Sequence, residues 1–136
     1  MSARGVLDTS TVLLLGRLNE RDLPDEPLIT AVTLAELSVG PLVATTRKER
    51  SARQAVLQQA EADFEPLAFD AGAARAFGRV AASIRSSGRK TQARAYDALI
   101  AATAVANELP VYTVNPADFA GIDELEVRAV PHPDQA

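Results

Sequence analysis

Residues 94–119 read RAYDALIAATAVANELPVYTVNPADF, and this stretch decides the fold. From Ala98 to Ala106 almost every position is apolar or small, so a helix over 94–108 has no face suited to water and must lie centrally buried. Pro110 ends that helix, because its ring and missing N–H cannot continue the ladder. Val111–Val114 then reads as a strand, and Asn115-Pro116 opens one helical turn. The same alternation runs through the rest of the chain. Gly5–Leu7 is a short strand, Asp8-Thr9-Ser10 a turn, and Val12–Leu18 a short helix. Pro27–Thr30 is a second strand, followed by a helix opened by Thr33 and interrupted at Gly40-Pro41. Residues 47–62 form a polar helix with Ala52, Val56, Leu57 and Ala60 on one face. Phe64–Phe69 reads as a third strand weakened by Pro66. Asp70 caps a helix carrying Ala73, Phe77, Val80 and Ile84 at helical spacing, closed by Ser86-Ser87-Gly88, and Glu126–Val130 is a last strand. Strands alternating with helices call for an α/β fold: a three-layer α/β/α sandwich around a short, mostly parallel central sheet. One domain is expected over residues 1–130, with 131–136 as a loose C-terminal tail.

A chain of 136 residues holds one real core and not two. With 47% hydrophobic and 24% charged residues it has the balance of a soluble globular protein. The absence of Cys excludes disulfides and thiolate metal sites and suits a reducing compartment. The stretch Ala98–Ala106 is far shorter than the roughly 20 residues a bilayer requires, and Asp8 interrupts what would be a signal-peptide core. The expectation is a cytoplasmic protein with no membrane role. Net charge is −4 but unevenly placed: residues 47–94 hold ten Lys and Arg against five Asp and Glu, the remainder four against thirteen. A basic middle beside an acidic remainder suits a nuclease, with cations for phosphates and anions for metal, although solvated helix faces produce the same pattern.

Four acids stand where an apolar segment meets a helix start: Asp8 in GVLDTS, Glu36 in LITAVTLAEL, Asp97 in ARAYDALIAATA and Asp118 in VYTVNPADF. Parallel strands end along one edge of their sheet, which would bring these positions into a single cleft. Four anions there repel by roughly 4 kcal/mol per close pair, so the cluster must take up protons or a hard cation, for which Mg²⁺ or Mn²⁺ is the economical choice. Local explanations compete. Thr33-x-x-Glu36 and Asn115-Pro116-Ala117-Asp118 both fit helix-capping devices, and Asp8 could cap the first helix. Asp97 is harder to dismiss, because a charge ahead of an almost wholly apolar helix needs a partner or a cleft. Other chemistries lack their residues. The single His, His132, lies in a Pro-flanked tail, and no phosphate-binding Gly-rich motif is present. Aromatic residues at 4% favour recognition of backbone or folded RNA over base stacking. Arg85, Arg89, Lys90 and Arg94, just ahead of Asp97, are candidates for RNA phosphates, or simply an exposed loop and helix end.

The segments LDTSTVL, ITAVTLAELSVG, YDALIAATA and TVNPADFAGI, in that order, resemble a PIN-domain ribonuclease, specifically a VapC-type toxin of bacterial VapBC toxin–antitoxin pairs. The resemblance runs from Gly5 to about Val130. It implies a Mg²⁺- or Mn²⁺-dependent endoribonuclease in which Asp8 and Asp97 hold the metal most directly, with Asp118 and Glu36 completing the cluster. Thr9, Ser10, Thr113 and Asn115 match positions that orient the carboxylates or touch substrate, unless they are plain turn and cap residues. Residues 45–93 carry the least family signature and would set RNA choice. The resemblance also implies a VapB-type antitoxin whose C-terminal segment blocks the acidic cleft, and a homodimer. Two rival readings remain. A phosphoacceptor module would need paired acids after the first strand and a late Lys, whereas this chain has Asp8 alone and no Lys beyond Lys90. A catalytically silent PIN fold that only binds RNA or protein would keep the architecture without the chemistry.

Overall fold

A computed structural model describes residues 3–90 and 94–135 of the chain. Among the described residues the short strands are β1 (Arg4–Leu7), β2 (Glu26–Leu28), β3 (Val111–Thr113) and β4 (Val127–Ala129), with β1 and β3 the most buried. They join in the order β2-β1-β3-β4, and every pairing is parallel. Five helices connect them: α1 (Thr9–Leu13), α2 (Ala31–Val39), α3 (Arg47–Asp63), α4 (Ala71–Ser86) and α5 (Ala95–Ala106). Local chemistry sets the starts of three of them. The Thr30 hydroxyl accepts from the Thr33 N–H, the Thr46 hydroxyl from the Glu49 N–H, and the Asp70 carboxylate from the Ala73 N–H.

Alternation along the strands sorts the core into two layers. Val6 and Val111 face one side, where they pack with Ala76, Val80 and Ile84 of α4 and Ala98, Ile100, Ala101, Ala102 and Ala104 of α5. Leu7 and Tyr112 face the other, with Val12 of α1, Leu37 of α2 and Ala60 of α3. The sandwich is therefore three-layered, as the alternation of elements requires. In α5 every position from Ala98 to Ala104 except Leu99 is buried, which accounts for its uniformly apolar sequence. β1 and β3 sit so close that a side chain at Gly5 would run into the Tyr112 ring.

Several element boundaries differ from the sequence expectation. Phe64–Phe69 is not a strand; Leu67 alone pairs with Thr30 in a single parallel bridge, through Leu67 N–H to Ile29 O and Ala31 N–H to Leu67 O. Pro66 and the charged neighbour Glu65 leave no room for a longer ladder. The Val12–Leu18 helix instead begins at Thr9, ends at Leu13 and gives way to a 3₁₀ turn at Leu15–Arg17, next to Gly16. The second helix opens at Ala31 behind Thr30, ahead of Thr33. Within the expected tail, Pro133–Gln135 is a 3₁₀ turn in which Asp134 pairs with Arg17; residues 1–2, 91–93 and 136 lie outside the described residues.

Ile100 is fully buried where α5 meets both α4 and the sheet. Ile100→Ala should destabilise the fold by about 3 kcal/mol through reduced burial and the cavity left behind, read as a lowered urea midpoint at unchanged slope; a loss under about 1 kcal/mol would mean that α5 is not the central element.

Candidate active site

The strand order reverses between β1 and β3: β1 connects outward to β2 on one side, β3 to β4 on the other. In open parallel sheets the crevice beyond the carboxyl ends at such a point is where ligands bind. Asp8 follows the last residue of β1 and is only 2% exposed. Val6 pairs with Val111 and Leu7 with Tyr112, so the next step of the register sets Asp8 across from Thr113.

A buried carboxylate must be hydrogen-bonded to remain charged. Asp8 Oδ2 accepts from Ser10 Oγ at 2.9 Å and from Thr113 Oγ1 at 3.0 Å, while Oδ1 accepts from Thr11 Oγ1. These hydroxyls are themselves fixed. Thr11 Oγ1 accepts from the Val114 N–H at 3.1 Å and Thr113 Oγ1 from the Asn115 N–H at 2.9 Å, so each has its own proton directed at Asp8. Asn115 Nδ2 donates to Ser10 Oγ at 3.2 Å. Burial raises the Asp8 pKa, and the Thr11, Ser10 and Thr113 hydroxyls oppose that rise.

Glu36 projects from α2 and accepts a 2.7 Å hydrogen bond from Thr9 Oγ1 on α1. With the Thr9 proton used there, the 3.0 Å hydrogen bond between Thr9 and Thr33 is donated by Thr33. The capping-box explanation of Glu36 therefore fails, since Thr30 caps the helix and Glu36 faces Thr9. Asn115 likewise makes no side-chain cap to the 3₁₀ turn Pro116–Phe119 that carries Asp118.

Asp97 lies in the first turn of α5 and is partly buried. Its pKa is pushed up to about 6, first by burial, then by the charges of Asp118, Asp8 and Glu36, with Arg94 pulling the other way. Asp97 is thus the point at which all four sequence-predicted acids meet electrostatically. They are not closed around a common centre: among the described residues no group of three or more acidic or His side chains is already arranged to hold a metal ion. Each acid other than Asp97 instead has a private partner, Asp8 its hydroxyls, Glu36 Thr9, and Asp118 the Arg94 guanidinium.

The model of the PIN domain family matches residues 6–125. The chain is 44% identical over 124 residues to ribonuclease VapC5 of Mycobacterium tuberculosis, across 89% of both sequences. The chain belongs to the VapC family of PIN-domain proteins. Its fold overlays a member of the VapBC family of toxin–antitoxin systems, VapBC-5 of Mycobacterium tuberculosis, with a TM-score of 0.82 at 41% identity, covering 94% of this chain and 99% of that one. DNA-bound VapBC of Salmonella typhimurium overlays with a TM-score of 0.73 at 25% identity, covering 95% and 98%.

Within this PIN fold the four basic candidates separate. Arg85 and Lys90 are exposed. Arg89 is engaged: its guanidinium donates to the carbonyls of Ala117 at 2.8 Å and Ala120 at 3.2 Å, bracing the turn that carries Asp118. Both contacts are made by Nη1, so that end of Arg89 serves the turn rather than a phosphate. The turn closes at Gly121, whose φ of +85° favours glycine. Sequence reading passed over Thr11 and Thr33 as site residues. Their signal was spacing: Thr11 stands three residues after Asp8 and Thr33 three before Glu36, offsets that share a helical face.

The raised pKa of Asp97 has a stability consequence. The folded chain takes up a proton at higher pH than the unfolded chain, so its ion-free stability falls as pH rises from about 4 to about 6. Asp97→Asn carries no charge to bury or repel. In EDTA its Tm advantage over the natural chain should therefore be larger at about pH 7.5 than at about pH 4.5; an advantage that does not grow with pH would show Asp97 to be unstrained.

Proposed function

We propose that this chain is the ribonuclease toxin of a VapBC-type pair, a Mg²⁺- or Mn²⁺-dependent endoribonuclease acting in the cytoplasm. The observation that carries the reading is Asp97: a carboxylate at the switch-point crevice whose pKa of about 6 comes from burial and from three other acids. Such a surplus of negative field suits a hard cation, and every donor near it is a carboxylate or hydroxyl oxygen, the ligand chemistry such ions take. Asp8 and Asp97 would hold the ion most directly, with Asp118 and Glu36 completing the set. When bound, it would lower the pKa of water and offset the charge that develops on phosphorus.

The chain's own residues then have distinct tasks. Ser10, Thr11 and Thr113 fix both oxygens of Asp8, so that its position costs little reorganisation during reaction. Thr9 and Thr33 set the orientation of Glu36. With His132 engaged at its ring Nδ1 by the Asp134 N–H in the tail, proton transfers fall to the carboxylates. Attack by water would form one P–O bond and break the P–O3′ bond, leaving a 5′-phosphate and a 3′-hydroxyl, with the water's proton passed to the acidic cluster and a proton from solvent taken up by the departing O3′. Arg85 and Lys90, both exposed, would meet phosphates of the RNA strand.

The antitoxin and the second copy of the chain are proposed on separate grounds. The relatives matched in structure are VapBC complexes. A groove of about 380 Å³ is walled by Thr9 and Glu36 together with Leu13, Leu37, Ala52 and Val56, and by Arg53. Leu13, Val39, Leu42 and Val43 are exposed nearby, Leu42 at 84%. An antitoxin segment with an apolar face and a basic side chain fits both features. A homodimer would cover apolar surface of this kind as well.

Incubating antitoxin-free protein with total bacterial RNA and mapping new 5′ ends tests the reaction. Discrete cuts are expected with Mg²⁺ or Mn²⁺, lost in EDTA and reduced at least a hundredfold in Asp8→Asn and Asp97→Asn, the order of loss seen when a group that stabilises transition-state charge is removed. Cleavage retained in either folded variant would overturn the assignment, and absence of cuts from folded, ion-loaded protein would favour a silent binding module. In an Asp97→Asn background that leaves RNA intact, the pair Arg85→Gln and Lys90→Gln should weaken RNA binding and flatten its log–log salt slope by about 0.7 for each phosphate no longer neutralised. An unchanged slope would return both residues to the solvated helix end.

A further inference from the structure

An arginine reaches one of the acids directly. Arg94 stands at the N-cap position of α5, three residues before Asp97, and its guanidinium engages Asp118 Oδ1. Among the described residues, it is the base that lowers the Asp97 pKa. Both side chains of the Arg94–Asp118 pair are more than half covered, at 40% and 30% exposure, so this is not a fully solvated ion pair. Arg89, the other engaged base of this region, grips the carbonyls flanking the same turn, holding the backbone of Asp118 in place while Arg94 takes its carboxylate.

We propose that Arg94 is a tethered counter-cation that occupies Asp118 until a divalent ion arrives, and that loading the ion at the acidic cluster releases the guanidinium from Asp118. The inference rests on the metal-dependent reading above. The Oδ1 lone pair that Arg94 now holds is the one an ion taking both Asp118 oxygens would need, so ion binding across the whole carboxylate and the Arg94 pair compete. The local charge is conserved in kind: a cation sits beside Asp118 before and after. The released guanidinium stays at the cleft mouth, where its planar donors suit a phosphate. Arg94 is therefore a positioning residue that acts through Asp118, distinct in role from the exposed Arg85 and Lys90.

Mn²⁺ binding to the full chain, followed by electron paramagnetic resonance, provides the test. Arg94→Gln should tighten Mn²⁺ about fivefold, the size of effect expected for removing one ion pair. The tightening should vanish in an Asp118→Asn background, because Arg94 acts through that carboxylate. Equal tightening with and without Asp118 would reduce Arg94 to a through-space charge and overturn the proposal, as would unchanged or weaker binding in Arg94→Gln. The natural chain gives a second readout without substitution: the Arg94 Nε–H resonance should move during a Mg²⁺ titration with the same midpoint as ion binding. A resonance that stays still while Mg²⁺ binds overturns the release step alone. If the natural chain takes up neither ion, the metal-dependent reading falls and this inference falls with it.

Discussion

A carboxylate buried at the end of a central strand is the constraint around which this molecule is arranged. Asp8 is 2% exposed, and burial raises its pKa. Three hydroxyl protons oppose that rise, and two of the donors also satisfy backbone N–H groups at the end of β3. The cradle therefore joins α1, β1 and β3 by polar bonds at the point where the sheet changes direction. Its value lies in completeness: a half-satisfied network at this depth would cost more than an apolar one.

Around that anchor the charges are placed against their own preference. Asp97 opens the helix most deeply buried in the fold, and its neighbours are anions. A helix N-terminus favours negative charge by about 0.3–1 kcal/mol, too little to offset desolvation and three like charges, and the pKa near 6 records the balance. The apolar length of α5 supplies what the acid removes. Six buried residues of that helix, packed against α4 and the sheet, hold Asp97 where isolated electrostatics would not leave it.

How far the sequence was legible follows from the range of each interaction. α5, Pro110, β3 and the parallel arrangement were readable because a uniformly apolar helix has only one place to go. The four acids were readable from their positions at segment ends, and Asp97 most clearly, since no local device explained it. Phe64–Phe69 misled, because an apolar run beside Pro resembles an edge strand; only the position of Thr30 decides that one residue, Leu67, pairs. The capping explanation of Glu36 failed for a similar reason, as Thr30 takes the cap and Thr9 on a different helix takes the carboxylate. Arg89 and Arg94 were indistinguishable as neighbours in a basic run. Their separation depends on the turn at 116–121, about thirty residues later, offering carbonyls to one and a carboxylate to the other.

The two faces of the sheet end up unequal, and that inequality bears on control. The α4–α5 face closes on itself through Val80, Ile84, Ile100 and Phe119, all within the core. The α1–α3 face has its own buried cluster but leaves Leu13, Val39, Leu42 and Val43 in water beside the groove walled in part by Thr9 and Glu36. Exposed apolar surface of this kind favours a partner non-directionally, whereas the acids attract positive charge to the cleft. Placing the two side by side divides the labour of inhibition as proposed here. Affinity would come from the apolar strip, which tolerates many sequences, and blocking from a positive group delivered to the cleft. A partner could then vary along most of its length and still silence the same four carboxylates.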